Sequence, residues 1–175
     1  MTRLVAAASN RHLELFWSPY VIAEASRVYT WLWLGRHGPD TSNAARRAHS
    51  EAACRWFGIM TVVFRVVEDA PPQVSFWTDS PRDPHDRPIW TAAVRARAHV
   101  VVTDNLRDGP PSDDRGLRQW NRILYVAPDH VVAALDWWAD EVASGRGVDD
   151  PSLPGVPPLL SAIEQLVRGM PPPTR

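Results

Sequence analysis

Two aspartates enclose a segment of the chain that has the length of one helix and one strand. Pro88 lacks a backbone N–H and is tolerated in the first turn of a helix, so we predict a helix that begins there with Asp86 as its N-cap. His99–Thr103 is a short β-branched run, apolar on both faces, as is typical of a buried parallel strand, and Asp104 follows it. The helix would run about 18 Å in one direction and the strand about 17 Å back. Both carboxylates are therefore expected at the same end of this unit.

The placement of these two aspartates predicts a divalent-cation site. Gln73–Trp77 is typical of a preceding strand, which would make the segment a βαβ unit. Its helix start and strand end would then lie at the carboxyl edge of the sheet, where ligands of α/β proteins bind. Two close carboxylates at such an edge favour a divalent cation. Taken singly, Asp86 is more typical of a helix cap and Asp104 of a turn. It is their convergence that favours a metal.

Glu24 is a candidate third ligand. Leu13–Trp17 predicts a short strand, and Ser18 followed by Pro19 predicts the N-cap and first residue of a helix that continues to about Leu34. Glu24 lies at the border of the apolar face of this helix, within two turns of its start. Taken alone, it is typical of an exposed surface residue. Its position near the carboxyl edge makes it a candidate to join the two aspartates.

The remaining elements continue an alternation of strands and helices that indicates an α/β protein. We expect one domain over residues 1–143, followed by a Pro/Gly-rich C-terminal extension over residues 144–175 that contains one short helix. Val62–Val67 is typical either of a strand or of the end of a helix, and periodicity does not distinguish these. The other predicted elements are a helix over about Asn43–Met60, a last strand at Ile123–Val126, a helix over about His130–Val142 and the short helix at Leu159–Val167.

The composition is typical of a single globular domain without disulfides or membrane spans. The chain has 175 residues, 45% of them hydrophobic, which is enough to fill the core of one domain. Its formal net charge of −1 indicates no global basic field for nucleic acid. All 19 of its basic residues are arginine, which suits bidentate phosphate contacts, but a chain rich in alanine, arginine and proline without lysine is more typical of a GC-biased genome. A single cysteine, Cys54, excludes a disulfide framework and is consistent with a reducing, cytoplasmic location. No apolar run reaches the roughly 18 residues of a membrane span.

Four short segments occur in an order that resembles the PIN-domain family. The family consists of metal-dependent nucleases and includes the toxins of many bacterial toxin–antitoxin pairs. The resemblance extends over about Leu13 to Val142, and the order of the segments with their predicted elements is the stronger part of it. The segments are Phe16–Glu24, Asp83–Asp86, Val101–Asp108 and Ile123–Asp129.

The resemblance implies a fold and a set of site residues. The fold is a three-layer α/β/α arrangement around a mainly parallel central sheet. The site would hold Mg²⁺ or Mn²⁺, with Glu24 as the second acid of the family pattern, Asp86 as the third and Asp104 as the fourth. The chain departs from the pattern because neither the first strand nor its terminal aspartate is found in Met1–Arg11, and because Gly109 stands where the family commonly has an aromatic residue.

Two functions from different classes follow from this resemblance. The first is a PIN-type endoribonuclease that hydrolyses RNA by metal-assisted attack of water, as the toxin of a toxin–antitoxin pair, with RNA as substrate and an antitoxin or a second copy of the chain as protein partner. The second is a catalytically inactive PIN-fold module that binds RNA or a protein. Without the first acid, we expect the chain to show little nuclease activity. A third interpretation is a fragment that is not stable alone.

Overall fold

The computed structural model describes residues 4, 7–8, 13–38, 42–69, 81, 83–143 and 158–171. Within these ranges the chain forms five helices and five strands, a mixture with small parallel sheets that agrees with the predicted α/β class. The predicted strand at Val74–Trp77 lies outside the described residues. The elements are β1 (Leu15–Trp17), α1 (Pro19–His37), α2 (Asn43–Val63), β2 (Phe64–Val66), α3 (Arg87–Arg95), β3 (Val100–Val102), β4 (Gln119–Trp120), β5 (Ile123–Val126), α4 (Pro128–Ala143) and α5 (Pro158–Val167).

The start of α1 is formed by the residues that the sequence predicts. Ser18 is the N-cap, fully buried, and its hydroxyl accepts a hydrogen bond from the Val21 N–H at 3.2 Å, while Pro19 occupies the first helical position. The helix continues to His37, three residues beyond the predicted end. It ends at Gly38, whose φ of 72° lies in the left-handed region that glycine adopts without strain.

The first sheet pairs β1 with β2 in parallel. The ambiguous segment Val62–Val67 contains both of the predicted alternatives, because α2 ends at Val63 and β2 begins at Phe64 without a loop. Phe64 packs against Trp17 of β1, with ring centroids 5.0 Å apart, and the Val67 N–H donates to the Trp17 carbonyl at 2.9 Å. This pairing joins residues about fifty positions apart, which local patterns do not predict.

The second sheet has the order β3-β5-β4. β3 and β5 are parallel, with Val101 opposite Tyr125, and β4 is antiparallel to β5. The sequence did not predict β4. The connection to β5 is a two-residue turn in which Asn121 and Arg122 have φ values of 51° and 64°. Two-residue turns of this kind are usually predicted from an Asn-Gly pair. Here Arg122 stands in place of the glycine, so the sequence does not contain that pattern.

Helices cover both faces of the second sheet. On one face, Ala93 and the half-buried Ile89 of α3 pack against Val101 and Tyr125. On the other face, α4 and α5 pack against the β5 residues that point away from α3. All four residues of β5 are buried, as expected for a strand with helices on both sides. The residues buried on the second face are Leu117, Leu124, Val126, Val131, Ala134, Leu135, Trp138, Leu159, Ala162 and Ile163.

Two further features concern the sheets and the C-terminal helix. The described strands form two small sheets, since no described strand of β1-β2 is hydrogen-bonded to a described strand of β3-β5-β4. The helix of the C-terminal extension is present as α5, but it contributes Leu159, Ala162 and Ile163 to the same core as α4. Among the described helices, none combines the length and apolarity needed to cross a membrane.

Candidate functional site

Asp86 immediately precedes α3, at the position that the sequence predicts. Its carbonyl accepts the first helical hydrogen bond, from the Trp90 N–H at 3.1 Å. Asp86 is thus the N-cap residue, as predicted, but its side chain makes no capping hydrogen bond, because its backbone is already helical (φ −86°, ψ −16°). A capping side chain needs an extended backbone in order to reach back to the first amides of the helix. The carboxylate of Asp86 therefore accepts no capping hydrogen bond from the first amides of α3.

The carboxylate of Asp86 lies among other acidic groups. Partial burial raises its pKa, and the charges of Asp83 and Asp108 raise it further, while His85 acts in the opposite direction. The first of these acids is tied to its own loop, since the Asp83 carboxylate accepts the His85 N–H at 2.9 Å. Asp108 accepts from the Asn105 side-chain amide at 3.1 Å. Negative charge thus accumulates at the start of α3.

Asp104 follows β3 in an exposed turn. The Asn105 N–H donates to the Thr103 hydroxyl at 3.1 Å, and the Leu106 N–H donates to the Asp104 carbonyl at the same distance. This is the turn that the residue types predict. The loop that contains Asp104 also brings Asp108 within electrostatic reach of Asp86. The start of α3 and the loop after β3 thus interact electrostatically through Asp86 and Asp108.

Glu24 is held by an arginine of its own helix. Arg27, one turn further along α1, donates from Nε to one carboxylate oxygen at 3.0 Å and from Nη2 to the other at 2.5 Å. Hydrogen bonding to Arg27 lowers the pKa of Glu24, desolvation acts in the opposite direction, and the positive charge of Arg27 lowers the pKa by a smaller amount. Although α1 contacts α3, both oxygens of Glu24 are engaged by Arg27.

The predicted ligands fit a divalent cation to different degrees. Among the residues that the structure describes, no group of three or more histidine, cysteine, aspartate or glutamate side chains is arranged to hold a metal ion. Glu24, Asp86 and Asp104 are therefore not brought together as one three-carboxylate group. Asp86 fits a cation best, because its neighbours are like charges that a cation would neutralise. Glu24 fits only after it leaves Arg27.

Tyr125 is a residue of this region that the sequence analysis missed. It is 6% exposed, and its hydroxyl is buried without a hydrogen-bond partner in the described part of the chain. Burial raises the pKa of this hydroxyl, and the charge of Asp86 raises it further. The location of Tyr125 in this region can nevertheless be inferred from the strand pairing. Once β5 is paired with β3 in register, Tyr125 lies beside Val101 and must share its face of the sheet, toward α3.

Comparison with protein-family models, with curated proteins and with solved structures finds no match to this chain. The resemblance to PIN domains therefore depends on the four segments, their order and the elements that carry them.

Proposed function

We propose that this protein is a PIN-type ribonuclease that hydrolyses RNA phosphodiesters with Mg²⁺ or Mn²⁺, as the toxin of a toxin–antitoxin pair. The observation that supports this best is the environment of Asp86. Its half-buried carboxylate lies with Asp83 and Asp108 at the end of β3 and the start of α3. In sheets of this kind, ligands bind at the carboxyl ends of the strands.

The carboxylates of Asp86, Asp104 and Glu24 are the proposed metal ligands. A bound Mg²⁺ or Mn²⁺ would activate a water for in-line attack on the phosphodiester. Asp86 would provide the fixed ligand, because the start of α3 orients it, and Asp104 would turn toward it from the exposed loop after β3. Glu24 would have to exchange Arg27 for the site. Exposed ion pairs three residues apart on a helix are weak, so the loss of the Arg27 pair would cost little free energy.

RNA cleavage by the purified chain tests this proposal. Structured and single-stranded RNAs are incubated with the parent protein in Mn²⁺, in Mg²⁺ or in chelator, and with the variants Asp86→Asn and Asp114→Asn. Asp114 is an exposed carboxylate of the loop after β3 and serves as the control. Because the first acid of the family pattern is absent, we expect weak cleavage that depends on the metal, that Asp86→Asn abolishes and that Asp114→Asn retains. Cleavage that persists in chelator, or that Asp86→Asn leaves unchanged, would contradict the proposal.

A second candidate function is a catalytically inactive PIN-fold module that binds a protein. The observation that favours it is an apolar surface on the second half of α1, where Trp31 is 68% exposed. Trp31 and Leu34 also line a shallow groove with Ser26, Arg27 and Thr30. Exposed apolar patches of this kind mark interaction surfaces. The apolar residues of the patch are Val28, Trp31, Leu32 and Leu34.

Co-purification distinguishes this second function. The tagged parent and the variants Trp31→Ser and Val62→Ser are purified from cells that also express the products of the genes adjoining its own. Val62 is an exposed apolar residue of α2 and provides the control. The binding module predicts a complex that Trp31→Ser disrupts and Val62→Ser retains, together with no RNA cleavage in any metal. Cleavage that depends on Asp86 would reject the inactive module.

A further inference from the structure

Three basic side chains belong to the amino end of the second sheet. Arg97 and His99 precede β3, and Arg122 precedes β5. Because β3 and β5 are parallel, the residues that precede them lie at the same end of the sheet. The His99 carbonyl accepts the Leu124 N–H at 2.9 Å, and each arginine lies only two residues before one partner of that hydrogen bond. The three backbone positions are therefore close together.

The packing of two neighbouring residues agrees with this placement. Ala98 and Trp120 both pack against the apolar cluster between α3 and the second sheet. Ala98 lies between Arg97 and His99, and Trp120 precedes Arg122 by two residues. The three basic residues therefore lie with Trp120 at the margin of one cluster. These four residues form the amino-end patch.

The guanidinium charges of the amino-end patch are not neutralised within the described part of the chain. The side chains of Arg97, His99 and Arg122 are exposed, and none of them makes an ion pair or a hydrogen bond with a described residue. Arg95, in the last turn of α3, differs because its guanidinium is paired with Glu68. Two guanidinium groups and an imidazole thus remain available to an anionic ligand.

Both arginines of the patch occupy positions at which glycine is favoured. Arg97 has a φ of 52° just after α3, where its N–H donates to the Val94 carbonyl at 3.1 Å and the next N–H donates to the Ala93 carbonyl at 2.9 Å. These are the two hydrogen bonds of a Schellman motif, whose left-handed residue is usually glycine. Arg122 has a φ of 64° in the second position of the turn between β4 and β5, where glycine is also favoured. An arginine at each position costs backbone free energy, so we expect its side chain to have a function.

Trp120 adds an aromatic surface to the patch. Its ring is partly exposed and lies edge-to-face with Tyr125, with ring centroids 5.3 Å apart. Guanidinium groups match the geometry of phosphates, and exposed aromatic rings stack on nucleobases. Proteins that bind single-stranded nucleic acid without sequence preference combine these two kinds of group. The patch therefore fits a ligand that contains both phosphates and bases.

We propose that the amino-end patch binds single-stranded nucleic acid, with its three basic side chains on the phosphates and a base stacked on Trp120. This site is separate from the candidate metal site, because Arg97 precedes β3 and Asp104 follows it. The inference goes beyond the proposed function, since it requires neither metal nor cleavage. Contacts to phosphates and to base faces carry no sequence information, so binding should show little sequence preference.

Binding of oligonucleotides in chelator tests this inference, because chelator removes metal-dependent cleavage. Fluorescence anisotropy measures the affinity of the full chain for labelled oligouridine and oligothymidine of about 12 nucleotides, a length within the range of such sites. The variants are Arg97→Gly and Arg122→Gly, with Arg55→Gln as the control, because Arg55 is an exposed arginine of α2 and its loss removes the same charge. We expect each glycine variant to raise the Kd by about 5-fold, as for one exposed ionic contact, and Arg55→Gln to leave it unchanged.

The salt dependence of binding gives the number of phosphate contacts. Each phosphate that is neutralised on a single strand contributes about −0.7 to the slope of log K against log salt concentration. The two arginines predict a slope of about −1.4 for the parent, and each glycine variant should reduce its magnitude by about 0.7. A parent-like slope and Kd in both glycine variants would overturn the inference.

Thermal unfolding separates binding from a structural role of the two arginines. Glycine adopts a positive φ without strain, so neither glycine variant should have a lower Tm than the parent. A lower Tm together with an unchanged Kd would assign the arginines to the fold and overturn the inference. Should a glycine variant fail to fold, Arg97→Gln and Arg122→Gln remove the same charges and decide the question.

An abasic oligonucleotide separates nucleic acid from other polyanions. It has the same phosphates but no bases, so the parent should bind it more weakly than oligothymidine of equal length. Equal affinity for the two would show that no base stacks on Trp120 and would overturn the assignment to nucleic acid. Absence of binding of both labelled oligonucleotides by the parent at low salt would overturn the inference, whereas the nuclease proposal is decided separately by the cleavage assay with Asp86→Asn.

Discussion

Two carboxylates of the candidate site have opposite electrostatic environments. Asp86 lies among acids and is partly buried, which raises its pKa, whereas Glu24 is exposed and hydrogen-bonded to Arg27, which lowers its pKa. A metal would improve the environment of Asp86 but would compete with Arg27 for Glu24. The side chain of Glu24 is therefore the one that must change most for the predicted ligands to assemble.

The Glu24–Arg27 pair predicts a measurable titration. Because the folded pKa of Glu24 is lowered, the stabilisation of α1 by this pair is present above the ordinary glutamate pKa and is lost as the pH falls through the folded value. Carboxyl NMR should show the Glu24 midpoint below that of a free glutamate, and Arg27→Gln should return it to the ordinary range.

Arg36→Gln, a change of another exposed arginine on α1, provides the control and should leave the Glu24 midpoint unchanged. Added salt should reduce the shift, because exposed pairs are screened. A Glu24 midpoint that is the same in the parent and in Arg27→Gln would show that the pair does not persist in solution.

At the scale of elements, two helices have serine caps with the same hydrogen bond in different surroundings. The Ser18 hydroxyl accepts from Val21 and is buried, while the Ser42 hydroxyl accepts from Ala45 and is exposed, both at 3.2 Å. An N–H that loses its cap in an exposed position is solvated by water, whereas a buried one is left without a partner.

Ser18→Ala should therefore destabilise the protein more than Ser42→Ala. We expect a loss of about 2 kcal/mol for Ser18→Ala and about 0.5–1 kcal/mol for Ser42→Ala, the two ends of the range for N-cap serines. Urea unfolding of both variants and the parent measures the difference. Equal losses would indicate that burial does not increase the cost of losing the cap at Ser18.

The sequence predicts elements better than it predicts their pairing. Ser18 and Pro19 define the start of α1, and apolar runs define β3 and β5, because caps and apolar runs are local signals. The pairing of β1 with β2 and of β3 with β5 depends on contacts between residues that are distant in the sequence. The lack of a capping bond at Asp86 depends on a backbone conformation that its residue type does not determine.

The same distinction applies to the candidate site. The prediction that Asp86 lies near the end of a strand follows from the lengths of α3 and β3, and the charge of Asp108, in the loop after β3, contributes to the raised pKa of Asp86. The position of Tyr125 on the face of the sheet toward α3 can be predicted only when the register of β5 against β3 is known, because that register determines which residues share a face. The ion pair between Glu24 and Arg27 depends on the rotamers of both side chains. The three-residue spacing allows this pair but does not determine that it forms.

At the scale of the whole molecule, the two described hydrophobic clusters both include residues of β5. This strand is paired on both sides and buried on both faces, whereas β1 and β2 form a two-stranded sheet in which Val66 is 59% exposed. A short two-stranded sheet is marginal in water without further packing. Packing of Trp17 against Phe57 and Phe64 is what supports it.

Hydrogen exchange should reflect this difference. The amides of Ile123–Val126 should exchange most slowly, near the rate set by global unfolding, and those of Phe64–Val66 should exchange faster through local opening. Exchange followed by mass spectrometry of the native protein measures both segments at once. Equal protection of the two segments would mean that the two sheets unfold as a single cooperative unit.

The effect of Mn²⁺ on thermal unfolding tests the central claim most directly, because a cation that binds only the native state raises the Tm. At a concentration 100-fold above the Kd, the parent should gain about 2.7 kcal/mol of stability. Asp86→Asn and Asp104→Asn should lose most of this gain. In chelator, Asp86→Asn should be at least as stable as the parent, since it removes a charge from an acidic cluster and no cap bond. An equal rise in Tm for the parent and for Asp86→Asn would contradict a metal site at Asp86.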